Sequence, residues 1–161
     1  MSEIADYKLV RNSTVGFDLT EDKAKLLAEK LGVRHLKDGE LLVKEGEADQ
    51  TLFILASGKI GVTSKDIGGT NRQVYIMKEG ECAGTRAFVE QSPRKATLQA
   101  IGDSTVYTLT PADFGSLLDA QPRLAFTVMR ALFRVTHANL SRMNQETQQL
   151  SNYISKTQGR Y

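Results

Sequence analysis

Over residues 33–110 the chain is a series of short β-favouring runs separated by turn signals. Leu41–Val43, Thr51–Leu55, Ile60–Val62, Val74–Met77, Thr97–Leu98 and Thr105–Leu109 are the runs. Lys37-Asp-Gly39, Glu45-Gly-Glu47, Ser57-Gly58, Gly68-Gly69, Glu79-Gly80 and Gly102-Asp103 are the interruptions. Short strands at this spacing predict an antiparallel sheet that closes into a sandwich or roll. Helical patterns flank it on both sides, so the class is mainly β with flanking helices (α+β).

On the N-terminal side, Thr20 precedes Glu21 and Asp22 and is the expected N-cap of a helix carrying Leu26, Leu27 and Leu31, stopped near Gly32. Residues 1–17 show little pattern and are expected to be a mobile leading segment. On the C-terminal side, Thr110-Pro111 starts a short helix over Ala112–Leu118, and Gln121-Pro122 starts a long one running past Tyr153. The predicted division is thus a segment 1–17, a β-roll 18–120 and a long helix 121–161.

The long helix carries two stripes. Leu124, Val128, Ala131, Leu132 and Val135 suit packing on the roll. Phe126, Met129, Phe133, Thr136, Leu140, Met143, Thr147, Leu150 and Ile154 repeat in steps of three and four, a heptad seam. A single wide core-facing stripe would explain the pattern only as far as Leu140. Beyond it the helix outruns a compact roll, which predicts a homodimer through this helix, parallel or antiparallel.

The segment Glu79–Ala100 carries the chemistry. It reads as a turn bracketed by Gly80 and Gly84, a short helix over Thr85–Glu90, and a strand entered through Pro93-Arg94. Backbone amides at the short helix, faced by a fixed guanidinium, would hold an anion. This segment resembles the phosphate-binding cassette of the cyclic-nucleotide-binding domain family. Gly84, Ala87, Phe88, Pro93, Arg94, Ala96 and Thr97 fall in the register of that cassette without a gap. The order of elements over roughly residues 18–140 is also similar. The resemblance implies an antiparallel, jelly-roll-like β-roll (a double-stranded β-helix) followed by a long helix. It implies a ligand such as cAMP or cGMP, or a related phosphate compound, and no other cofactor. Arg94 would hold the phosphate, helped by amides near Ala87 and Phe88. Arg86 is a candidate second anion contact. Thr136 and His137 lie where the family's helix covers the base. Thr85 stands where the family has a glutamate that holds the ribose 2′-hydroxyl, and Lys95 where a small residue is usual.

The remaining composition excludes more than it suggests. A net charge of +2 does not by itself argue for nucleic acid or membrane. One cysteine, Cys82, cannot form an intrachain disulfide or a multi-cysteine metal site and is read as a small buried filler. His35 and His137 stand apart and form no metal cluster. There is no nucleophile elbow, useful His–carboxylate pair or Walker-type loop, so no enzyme activity is expected. No signal peptide and no run of about 18 apolar residues is present, so a cytoplasmic protein without membrane contact is expected. Only Gln158–Tyr161 follow the predicted helix, so DNA binding is not expected from this chain, and its output would pass to an unidentified protein partner. The alternative function is a dimeric interaction module with a vestigial pocket.

Overall fold

The computed structural model describes residues 3–158; the ends of the predicted leading segment and of the long helix lie outside the described residues. Two helices come first, α1 (Tyr7–Arg11) and α2 (Glu21–Lys30). Thr20 caps α2 as its sequence predicts, its hydroxyl accepting the Lys23 N–H at 3.3 Å. The mobile reading of the leading segment is corrected. Asp6 caps α1 by accepting the Lys8 N–H at 2.8 Å, and Ala5, Val10 and Val15 are buried. Their spacing follows neither a helical nor a strand period, so the sequence shows no stripe. Each nonetheless fills a gap between the sheet and the helices.

Six strands follow: β1 (Gly32–Leu36), β2 (Leu41–Val43), β3 (Leu52–Lys65), β4 (Asn71–Met77), β5 (Cys82–Ala83) and β6 (Thr97–Leu109). All pairings are antiparallel, in the order β1–β6–β3–β4, with β2 also on β6 and β5 on β3. Two of the expected turns are bends inside long strands. Ser57-Gly58 lies within β3 and Gly102-Asp103 within β6. The bend in β3 is held by chemistry across the pair. Gly58 takes φ +90°, and a Cβ there would fall 2.4 Å from the Ser104 hydroxyl oxygen. That hydroxyl accepts the Lys59 N–H at 3.1 Å and lies 3.0 Å from the Lys59 carbonyl. The register shifts on both sides of Ser57, so the paired strands curl together instead of ending.

Strand alternation then sorts the side chains into two cores. Leu52, Ile54 and Ala56 face outward onto a cluster that also takes Val10, Leu27, Leu117, Leu124, Val128 and Leu132. Phe53, Leu55 and Ile60 face into the roll, with Leu36, Met77, Leu98 and Val106. Between β5 and β6 sits the short helix α3 (Thr85–Glu90); after β6 come α4 (Pro111–Ala120) and α5 (Pro122–Gln158). Thr110 caps α4, accepting the Asp113 N–H at 3.1 Å, with Pro111 in the first turn. No helix among the described residues is long and apolar enough to cross a membrane.

Candidate phosphate-binding site

The roll opens at the end bounded by β5, α3 and α5, leaving a cavity of about 360 Å³. Its floor is the inner core (Val43, Val62, Met77, Leu98) and its wall is the segment Glu81–Ala87 together with Pro93–Ala96. Arg94 dominates the chemistry. Its backbone is pinned on both sides: its N–H donates to the Glu47 carbonyl at 2.9 Å, and its carbonyl accepts the Gly46 N–H at 2.9 Å. Its side chain is 3% exposed, so the phosphate contact expected of it lies in the depth of the wall and not at the surface. Pro93 and the pairing with residues 46–47 turn the guanidinium inward over the Phe53 ring, 4.9 Å from its centroid.

The guanidinium is only half satisfied. Nη2 donates to the Thr51 carbonyl and lies 3.5 Å from Asp49 Oδ1. Nε and Nη1 are buried without a partner. Burial lowers the Arg94 pKa, partly offset by Asp49, yet an arginine stays charged. Asp49 is held below its usual value. Burial works against that, and the backbone N–H and side chain of Thr51, with Arg94, outweigh it. Unpaired donors on a buried cation are costly unless something fills them, and the ready filler is an anion in the cavity.

Gly84 makes room for this arrangement. It has φ +84°, and a Cβ on it would lie 2.3 Å from Arg94 Nη1 and 3.0 Å from the Thr51 carbonyl oxygen. Both backbone handedness and space therefore demand glycine.

Of the sequence-predicted residues, Gly84, Thr85, Arg86, Ala87, Arg94, Lys95 and Ala96 all line the cavity. Arg86 also pairs with Glu90 at 3.1 Å. Phe88 does not line it; the ring packs edge-on to Phe114 in the outer core, centroids 5.4 Å apart. Thr136 and His137 are likewise displaced. Thr136 borders only a neighbouring cleft and gives its hydroxyl to the Leu132 carbonyl at 3.0 Å. His137 borders neither and stacks on Phe133, centroids 6.1 Å apart. The face of α5 that reaches the cavity is instead Val135, Asn139 and Arg142, spaced four and three apart. Continuing the stripe Val128, Leu132, Val135 by two turns would have found it.

Three further wall residues went unread. Tyr75 donates its hydroxyl to Glu81, at 2.9 and 2.7 Å from the two carboxylate oxygens, and the Lys78 N–H adds a bond at 2.7 Å. The Glu81 bond raises the Tyr75 pKa. Thr14, from the leading segment, brings a buried hydroxyl with no partner. Cys82, beside it, packs with the outer core, and burial raises its thiol pKa, keeping it protonated. Among the described residues no group of His, Cys, Asp and Glu could hold a metal ion.

This geometry agrees with what the chain is similar to. The family profile described as "Cyclic nucleotide-binding domain" matches residues 33–121. The chain belongs to the cyclic nucleotide-binding domain family. The domain is 39% identical over 82 residues to a cGMP-dependent protein kinase of Toxoplasma gondii, covering 51% of this chain but 8% of the kinase. Among solved structures, it superposes on the catabolite activator protein of Thermus thermophilus with a TM-score of 0.77 at 23% identity, covering 86% of this chain and 63% of that one. A cyclic nucleotide-binding domain from Methylobacillus flagellatus gives a TM-score of 0.81 at 16% identity, covering 91% and 86%. The expected roll with its long C-terminal helix is thus the observed fold.

Proposed function

We propose that this domain is a non-catalytic regulatory sensor that binds a cyclic nucleotide, or a related phosphate ligand, with the phosphate on Arg94. The observation that carries this reading is the buried guanidinium whose Nε and Nη1 have no partner, facing a cavity in a chain of this family. Thr85 at the wall supplies one hydroxyl where a carboxylate would make a charge-assisted bond to a ribose hydroxyl. That difference is worth about 1.5–3 kcal/mol, roughly tenfold to a hundredfold in affinity. Weakened or altered selectivity between cAMP and cGMP follows.

The output leaves through α5. Its seam residues Phe126, Phe133, Leu140, Met143, Leu150 and Ile154 are all exposed in the single chain, which supports a homodimer along this helix. Phosphate on Arg94 would order the wall Gly84–Ala87, which shares the cavity with Val135 and Arg142 of α5. A protein partner then reads the helix pair in the cytoplasm. The exposed seam also favours a second reading, an interaction module that dimerises whether or not the pocket is filled.

Calorimetric titration with cAMP and cGMP tests the proposal. Binding is expected for the native chain and lost in Arg94→Lys, which keeps the charge and removes the fork. Thr85→Glu is expected to tighten binding by about tenfold or more. Equal heats with native and Arg94→Lys protein would move the site elsewhere, and dimerisation without any binding would favour the second reading.

A further inference from the structure

The cavity wall is unusually cationic for a site meant to hold one phosphate. Arg86 on α3, Arg94 and Lys95 ahead of β6, and Arg142 on α5 all line it. Glu81 is the one carboxylate among the lining residues; it accepts the Tyr75 hydroxyl and the Lys78 N–H and keeps its negative charge, so four cations share the wall with one anion. Arg86 has Glu90, and Arg94 has Asp49 at 3.5 Å. Lys95 and Arg142 form no ion pair among the described residues. Both are exposed, so they sit at the mouth and Arg94 in the depth.

A single phosphodiester carries one negative charge. Seated on Arg94, it would leave Lys95 and Arg142, neither of them in an ion pair among the described residues, facing the same concavity with Glu81 as the only lining anion. Cations that converge on a low-dielectric concavity raise the local concentration of polyanions and discriminate against ligands of lower charge. Thr85 fits the same picture, because a carboxylate at that wall would repel a second phosphate and a hydroxyl can donate to one. Thr14 adds a buried hydroxyl with no partner on the same wall.

Building on the function proposed above, we infer that the preferred ligand is a nucleotide with two phosphate groups, one in the depth on Arg94 and one at the mouth between Lys95 and Arg142. Two ligand types share that chemistry: a cyclic dinucleotide, and a mononucleotide with separate phosphates at two positions.

The test is calorimetry on the full chain with cAMP, cGMP, cyclic di-AMP, cyclic di-GMP and adenosine 3′,5′-bisphosphate. At least one two-phosphate probe is expected to bind about tenfold or more tighter than cAMP and cGMP. The type of the tightest probe tells the cyclic dinucleotide from the bisphosphate. In a Lys95→Gln, Arg142→Gln double variant, checked by circular dichroism for an intact fold, that preference should shrink to about threefold or less. If cAMP or cGMP binds as tightly as every two-phosphate probe, the inference is overturned while the sensor reading stands. A preference that survives the double variant overturns it too. If no probe binds at all, the sensor reading itself fails, and this inference falls with it.

Discussion

The two halves of α5 carry the same kind of sequence and meet opposite fates. In the first half, Leu124, Ala125, Val128, Ala131 and Leu132 are buried against the sheet and α4; Val128 is 0% exposed. In the second half that stripe gives way to Asn139 and Arg142, and the apolar residues are those of the seam, Met143, Leu150 and Ile154; Leu150 is 60% exposed. Amphipathic periodicity therefore says that a helix will be buried, and only the reach of the neighbouring layers says by what. Up to about Leu132 the roll covers one stripe and leaves the seam residues Phe126 and Phe133 exposed. Beyond Leu140 nothing among the described residues covers the helix, and a second copy is the proposed cover.

Cutting the chain after Asn139 is the strongest way to break the comparison. Burial of Met143, Leu150 and Ile154 in a dimer contributes up to about 1.5–3 kcal/mol for each side chain. The shortened chain should remain folded by circular dichroism and sediment as a monomer, whereas the full chain sediments as a dimer at roughly tens of micromolar. A full chain that is monomeric there would return the seam to the status of a solvated face. Next in size, Leu132→Ala should lower unfolding free energy by about 2–5 kcal/mol in urea titrations, because it opens a cavity between α5 and the sheet. Its counterpart Leu150→Ala should cost the isolated fold less than about 0.5 kcal/mol and act on the association constant instead. If both variants destabilise the monomer alike, the two halves are not distinct. Smallest is the surface tie on the first half. Asp18 pairs with Arg130 at 3.6 Å and with Arg134. Asp18→Asn should cost about 0–1 kcal/mol, an amount that fades in high salt; a larger loss would mean that α5 depends on charge as well as on packing.

How much of this was legible beforehand follows the same division between local and non-local causes. Thr20 and Thr110 were readable as caps because a cap is settled within four residues. The short helix at Thr85–Glu90 and the place of Gly84, Arg94 and Ala96 in the site were readable from the order of residues in the cassette. What was not readable depended on the far side of a contact. Ser57-Gly58 looks like a turn until Ser104, 46 or 47 residues away, is seen to bind Lys59 across the bend. How deeply Arg94 is buried shows only when Glu47, Gly46 and Thr51 are seen to hold it. Val10 and Val15 show no stripe because they fill an irregular gap. On α5 the error was one of rotation. Thr136 and His137 stand next to the productive face, and a shift of one residue on a helix turns a side chain by about 100°.

The pairing of β6 sets a timetable for the molecule. It is the last strand, and it joins β1 through Gly32↔Thr108, β2 through Leu41↔Gln99 and β3 through Leu52↔Leu109. Until it is in place, β1 and β2 have no strand to bond with and the inner core lacks Leu98, Ala100 and Val106. A ribosome must therefore release the chain through Leu109 before the sheet can close, and the early strands wait with open edges. Loop closures of this span place folding in the slower range of about milliseconds to seconds. The anion seat, built from Gly84 on one side of that closure and Arg94 at its start, comes into being only when the last strand docks.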